Sequence, residues 1–486
     1  MKKLILSTLG TLWLVSASCA VHAQEWNAMP TGTPWPEVRQ VSGGVPQFPP
    51  QRIPPPPQMV PPPPQMIPAP PQYYSPAPSY AADQSYSELT QRIENLEREL
   101  AKKSDKPDPK KGFTAPKIGG RLFMDSVNIL NQDNIHGHNY FGIRDARLGV
   151  SGSAYDFLDY QFELGFENEN GANFKDAFLG IKYVPVLGYV RVGNQEVEDG
   201  CSEVYASLNY TFMEPPAPAA DQFTARRLGI TSRHFFAKNR VRLFLGAFGA
   251  KNISGKHQQI DCDQGIILNA RLIHALMFQK DGRKMFFYGG YYSFTESNDP
   301  QKYAGVRPGS WGLMGDSPTL LADNIHKAGF ETVYQNGPFC LQTDLFVRYF
   351  SDAATSSTNG DATLYGGFVM GRYFLTRGDY RKYNLESGRW SSVVVNCPFL
   401  LSQRGSYNFL EGPGAWEVAA YYGFLNNDDF ENIAAVYGME HQIGAALNWY
   451  WNPQLKWALN YVHFMADNNV SKPSVDAIGL SCRLHW

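Results

Sequence analysis

From residue 112 to the C-terminus, hydrophobic and polar positions alternate with a period of two. In the segment 156–168, Leu158, Tyr160, Phe162, Leu164 and Phe166 share one face, while Asp159, Gln161, Glu163 and Glu167 share the other. Successive side chains of a strand point to opposite faces, so this spacing predicts strand rather than helix. The pattern recurs. Phe339, Leu341, Leu345, Val347 and Tyr349 alternate with Gln342, Asp344 and Arg348; Trp416, Val418, Ala420, Tyr422 and Phe424 alternate with Glu417 and Tyr421. Such runs predict sixteen strands: 117–130, 140–152, 156–168, 174–184, 188–194, 225–236, 240–250, 264–278, 284–296, 325–335, 338–350, 362–375, 414–426, 439–451, 454–466 and 475–486. Short turns alternate with longer loops at 195–224, 251–263, 297–324 and 467–474; one long link, 376–413, falls on the short-turn side. An even number of strands with one apolar face is the pattern of an all-β, transmembrane antiparallel β-barrel of about 16 strands, here over 113–486.

The chain before the barrel follows other rules. Lys2 and Lys3 precede an apolar stretch, Leu4 to Val15, and Val21-His22-Ala23 fits a signal-peptidase site, so 1–23 reads as a secretory signal peptide. Residues 24–80 hold 19 of the 34 prolines, including a tandem PPPPQMV-PPPPQMI at 54–67, and read as an extended or disordered spacer. Tyr86, Leu89, Ile93, Leu96 and Leu100 form an a/d seam, predicting a short coiled coil over 84–104. A Pro/Lys/Asp linker, 105–112, leads into the barrel.

Composition narrows the picture. Aromatics make up 14% and charged residues only 18%, which suits a sheet with one lipid face and aromatic girdles. No apolar run of 18 residues follows the signal, which excludes a helical membrane protein. A formal net charge of -2 supplies no field for nucleic acid. Five cysteines follow the signal. Cys201 and Cys262, in polar loops, are the candidates for a disulfide, with five unpaired thiols as the alternative. His136 and His138 lie near Asp133 without further ligand spacing, and no G-x-S-x-G occurs. Neither a metal, a cofactor nor an enzyme is expected.

The final strand carries Ile478, Leu480, Cys482, Leu484 and Trp486 on one face. An apolar alternation ending in a C-terminal aromatic is the expected outer-membrane assembly signal, here Trp486. With the signal peptide it places the protein in the bacterial outer membrane, with the N-terminal arm in the periplasm.

Ordered fragments then resemble a known family. RDARLGVSG (144–152), NFKDAFLGI (173–181), YVRVGN (189–194), YTFMEP (210–215), RRLGI (226–230), LYGGFVMGRYFLTRGDYRKY (364–383), GAWEVAAYY (414–422) and ALNWYWNPQLKWALNYVHF (446–464) resemble, in order, the phosphate-selective porins O and P. The resemblance implies a sixteen-stranded barrel, a homotrimer, and long segments folded into the pore, one from the periplasmic side, which accommodates 376–413. One stretch departs from the family. Where the family carries Lys-Glu-Pro-Phe, this chain has Gln195-Glu196-Val197-Glu198-Asp199, and 113–486 has a formal charge of -4. Phosphate selectivity therefore does not carry over.

Strand parity turns Arg147, Arg191, Arg227, Arg233, Arg240, Arg242, Arg271, Arg348, Arg372 and Arg483 inward, with Asp145, Asp159, Glu163, Asp176, Glu331, Asp344 and Glu417 available to pair with them. Guanidiniums are permanently charged and bind oxyanions. Glu196, Glu198 and Asp199 are the constriction-loop candidates. Pointing into the passage they oppose anions; turned toward Arg226, Arg227 or Lys251 they leave a mild anion preference. The expected function is a weakly selective outer-membrane porin for small hydrophilic solutes or ions. The alternatives are a structural barrel tied by its arm to the cell wall or a periplasmic partner, and an oxyanion-specific channel.

Overall fold

The computed structural model describes residues 112–133, 136–137, 139–166, 171–200, 207–216, 224–237, 239–250, 265–279, 281–296, 313–314, 322–354, 359–403, 406–409, 412–431, 433 and 437–486. The signal peptide, proline-rich spacer and coiled coil, together with Cys201, Cys262 and His138, lie outside them.

Sixteen antiparallel strands close a barrel among the described residues. They are β1 (Lys117–Asp133), β2 (Tyr140–Ala154), β3 (Leu158–Gly165), β4 (Asn173–Val184), β5 (Gly188–Glu196), β6 (Arg226–Phe236), β7 (Val241–Gly249) and β8 (Ile266–Gln279). β9 (Lys284–Glu296), β10 (Asn324–Asn336), β11 (Phe339–Ala354), β12 (Asn359–Phe374), β13 (Ala415–Asn426), β14 (Gly438–Tyr450), β15 (Leu455–Asn468) and β16 (Ser474–His485) complete it. Each strand pairs with its sequence neighbours, and β1 pairs with β16, Arg121 opposite His485. Closure leaves no unpaired sheet edge to face lipid.

The alternation sets the two faces. On β11, Leu345 and Val347 are 48% and 43% exposed, while Phe346 between them is 6% exposed. The outer face is the apolar one expected, and aromatic pairs edge it. Near the short-turn end, the rings of Trp416 and Trp449 stack 5.0 Å apart and both indoles donate to the Pro413 carbonyl. Toward the long-loop end, Tyr292 pairs with His326, Tyr422 with His441, and Tyr461 and His463 with Asp476. Amphipathic rings of this kind settle at the two membrane interfaces.

The inner face differs from the uniformly polar lumen that parity implies. It carries the hydrophobic core, because segments between strands fold into the barrel and pack there. Residues 207–216, after β5, place Phe212 against Phe368 and Tyr421, and Met213 against Val127 and Val462. The long link between β12 and β13 sends in a hairpin, Tyr380–Asn384 paired with Arg389–Val394. Its Tyr383 and Trp390 pack on Ile273, Met285, Phe287 and Val333. The β8–β9 turn fits this hairpin closely. Asp281 and Gly282 have φ of 55° and 85°, the left-handed pair of a tight hairpin turn. A Cβ on Gly282 would stand 2.9 Å from the Tyr383 Cβ.

Trp486 closes the seam. Its backbone exchanges hydrogen bonds with Gly120, and its side chain, 58% exposed, faces outward with the indole over Gly120. Trp486→Asp places a carboxylate on the lipid face at that seam. The expected outcome is a sharply lower outer-membrane yield with secretion unchanged, read by fractionation and heat-modifiable gel mobility. Normal yield would show that the last strand assembles without this residue.

Candidate functional site: a charged passage beside two inward-folded segments

Two inward segments meet in the lumen. Asn209 donates to the Trp390 carbonyl at 3.2 Å, and Arg381 donates to the Asn209 carbonyl. Arg381 also reaches Glu417 at 2.9 Å and the Tyr450 hydroxyl at 2.6 Å. Lys456 donates to the carbonyls of Tyr210 and Thr211. The Arg372 guanidinium stacks 3.8 Å above Trp390 and donates to Thr211. These contacts tie both segments to β12–β15.

The loop acids are all neutralised. Glu196 pairs with Arg226 at 2.9 Å and Arg389 at 2.8 Å. Glu198, fully buried, receives Arg242 at 2.7 Å, Arg271 at 3.1 Å and Arg233 at 3.2 Å. Burial alone would raise its carboxyl, but Arg242 and Arg233 beside it hold it well below the usual carboxylate range. Asp199 accepts from Thr224 and lies 3.4 Å from Lys327. Backbone carbonyls of the hairpin turn complete the knot: Arg242 donates to Glu386 and Arg271 to Gly388.

Open space lies on both sides: about 850 Å³ beside the hairpin, lined by Arg240, Asp281, Lys382 and Glu386, and two smaller cavities across the lumen. One cavity of about 300 Å³ is lined by Arg144, Asp145, Arg147, Glu196, Glu214, Arg226 and Arg483. A second, about 220 Å³, is lined by Arg121, Arg147, Glu163 and His485. Arg147 lines both, so they adjoin along the inner face of β1–β3 and β16, and the first reaches β5 and β6 at Glu196 and Arg226. Ion pairs hold the wall: Arg147 with Asp145 at 2.7 Å and Glu163 at 3.0 Å, Arg121 with Asp145 at 3.3 Å, and Arg144 with Glu214. Arg144 is 37% exposed and faces the cavity of about 300 Å³.

The candidates read from parity therefore separate. Arg147 and Arg483 line the passage. Arg233, Arg242 and Arg271 gather at Glu198, and Arg271 also meets Glu331 at 2.7 Å. Asp176 holds Arg226 at 2.8 Å, Arg227 donates to the Ala250 carbonyl, and Asp344 accepts from Tyr291. Arg191 lies over Phe178, and Arg348 over Phe350. Arg240 stands just outside the wall strand and lines the cavity of about 850 Å³ beside the hairpin. β7 begins one residue later, leaving Arg240 exposed in the turn with a bond to the Leu276 carbonyl.

Other residues of the site escape parity. Arg144 reaches the lumen next to Asp145 because the β1–β2 register shifts between Phe123 and Met124. Arg381 and Arg389 belong to the inserted hairpin, and Glu214 to the inserted loop, where no strand period applies. Arg121 does follow the period, on the inner face of β1, and was there to be found. Among the described residues no cluster suited to a metal occurs.

Against known proteins, the model of the phosphate-selective porin O and P family matches residues 117–485. A search of curated proteins found no match. Several solved structures of low identity are similar to the chain. A loop L8 deletion mutant of the Vibrio cholerae outer membrane protein OmpT is 11% identical, with a TM-score of 0.49, covering 76% of this chain and 99% of that one. Salmonella typhi OmpF, in complex with daunomycin, is 16% identical, with a TM-score of 0.48 and coverage of 76% and 97%. The anion-selective porin from Comamonas acidovorans is 13% identical, with a TM-score of 0.47 and coverage of 76% and 99%.

Proposed function

This chain belongs to the phosphate-selective porin O and P family and is an outer-membrane porin, a channel and not an enzyme; we propose that its pore is weakly selective with a mild preference for anions. The observation that carries this is the neutralisation of the loop acids. Glu198 and Asp199 face basic partners away from the passage, and Glu196 is shared between two arginines. Around the cavity of about 300 Å³ stand Arg144, Arg147, Arg226 and Arg483 against Asp145, Glu196 and Glu214. Charges lining a narrow, low-dielectric passage dominate ion choice over charges elsewhere, and here bases lead by a small margin. Each of the first three arginines already holds a carboxylate, so none is kept for a tightly bound phosphate.

Reversal potentials in a chloride gradient across a bilayer are expected to show a modest anion preference. Millimolar phosphate should leave chloride current unblocked. Arg144→Gln with Arg147→Gln should move the reversal potential toward cations. A cation-selective wild type would overturn the reading, and saturable block at micromolar phosphate would establish the oxyanion-specific channel instead.

The same reading places residues 1–23 as a removed signal and 24–104 as a periplasmic spacer and coiled coil, and it includes a homotrimer built by direct barrel contact. What supports a subunit face is strand length. β3, β5 and β7 have 8, 9 and 9 residues, whereas β11 and β12 have 16 each. Eight residues at ~3.3 Å, tilted by roughly 40°, rise only about 20 Å, less than the roughly 25 Å lipid band. This low wall still exposes Phe162, Leu179 and Val192, so a second barrel is the fitting cover. Leu179→Gln with Val192→Gln should release monomers in mild detergent, measured by light scattering. The same change at Leu345 and Val347, on the tall wall, should leave the oligomer intact. Identical masses for the two pairs would move the interface elsewhere.

A further inference from the structure

We propose that a resident halide-sized anion is bound between Arg191 and Arg233, on the inner face of β5 and β6 and apart from the residues that line the two cavities. The register brings these side chains together. Arg191 is directly opposite Thr231, and Arg233 stands two residues further along β6, on the same face. Diagonal neighbours of this kind are roughly 7–8 Å apart, within reach of long side chains. Two like charges are thus held side by side.

Neither is matched. Arg233 is 5% exposed, and its one ion pair, to Glu198 at 3.2 Å, is shared with Arg242 and Arg271. Among the described residues no carboxylate lies within ion-pair distance of Arg191. Its guanidinium is instead 4.1 Å from the Phe178 ring centre and 5.0 Å from that of Tyr189. The Nε donors of both arginines are buried without an acceptor. The nearby acids are spoken for: Asp176 holds Arg226, and Glu196 holds Arg226 and Arg389.

The charge inventory says the same. Among the described residues, Arg191, Arg226, Arg233, Arg242, Arg271 and Arg389 stand against Asp176, Glu196, Glu198 and Glu331. A guanidinium does not shed its proton, so burial cannot remove the excess by neutralising it. Arg233 is buried and Arg191 partly buried, and charge withdrawn from water without a partner is unfavourable. A counter-ion from solvent is the remaining way to match it. The surroundings set its size. Phe178, Tyr189 and Phe244 supply aromatic walls, and the Thr231 hydroxyl already donates to Gln195 at 2.9 Å. Two N–H donors between aromatic rings suit a small, weakly hydrated monovalent anion. Neither arginine lines the cavities of the passage.

The test uses the full-length porin in detergent. Crystals transferred to sodium bromide should show an anomalous peak in contact with both guanidiniums. The melting temperature should be several degrees lower in gluconate than in bromide or chloride at equal ionic strength. Thr231→Asp supplies a fixed carboxylate at the same place and should abolish both the peak and the halide dependence. Should that variant fail to fold, Arg191→Met should lose the peak. No peak in the wild type, equal melting in gluconate and bromide, a wild-type halide dependence in Thr231→Asp, or a peak retained in Arg191→Met would each overturn the proposal.

Discussion

Glu198→Gln will destabilise the folded porin by about 3–5 kcal/mol, the loss expected when one partner of a buried ion pair is removed and its counter-charges stay behind. The carboxylate is fully buried and is the common acceptor of Arg233, Arg242 and Arg271. A glutamine amide keeps the shape and one acceptor oxygen but removes the charge. Three guanidiniums are then left facing each other under the loop. The backbone carbonyls of Glu386 and Gly388, also bonded to Arg242 and Arg271, lose their alignment with them. Thermal melting of the purified protein measures the effect. Its direction with pH also follows. Arg242 and Arg233 hold the Glu198 carboxyl below its ordinary value of 4.5. A depressed folded-state value adds stability that is complete above that ordinary value and fades only as pH falls through the folded one. The wild type should therefore resist acid more than Glu198→Gln, with the gap between their melting temperatures closing only well below pH 4.5. A gap of less than a degree at pH 7 would show that Glu198 is not the keystone of the loop.

The barrel was legible in the chain because lipid imposes one rule on every strand. An outward position must be apolar, so Leu345, Val347 and Tyr349 announce their face without reference to any partner. The odd link 376–413 was legible as an anomaly of loop length, and its hairpin, Tyr380–Asn384 with Arg389–Val394, is one of the two segments that fold inward. The inside obeys no comparable rule. An inward side chain meets water, another wall, or an inserted segment, and parity does not distinguish these. Arg147 and Arg242 share an inward setting, yet one lines a cavity and the other is sealed against Glu198. Inward Phe287 and Phe368 look misplaced for a lumen until Tyr383 and Phe212 are set against them. Arg144 was hidden by a register shift, and Arg381 by belonging to no wall strand. Whether Glu196 and Glu198 met solutes or arginines was a question of partners, which only the fold answers.

Excising the inserted hairpin, with residues 379–396 replaced by a short Gly-Ser linker, should raise single-channel conductance severalfold. The hairpin lies across the lumen on the β8–β14 side. Arg381 anchors it to Glu417 and Tyr450, Tyr383 and Trp390 pack on the wall, and its turn reaches Arg242 and Arg271. It therefore separates the passage along β1–β3 from the rest of the barrel's cross-section. The barrel does not depend on it for pairing. β12 and β13 bond directly, Tyr373 opposite Val418, and every strand keeps both neighbours without the hairpin. Removing it exposes apolar inner positions such as Phe287 and Val333, which lowers stability but opens no sheet edge. Selectivity should change along with conductance. Glu196 loses Arg389 and Glu417 loses Arg381, so two carboxylates gain access to the widened pore and the reversal potential should move toward cations. Macroscopic swelling rates in proteoliposomes should rise for larger sugars as well as for ions. Unchanged conductance in a correctly inserted variant would mean that residues 207–216 alone, held by Lys456, Asn448 and Arg483, close that side of the lumen.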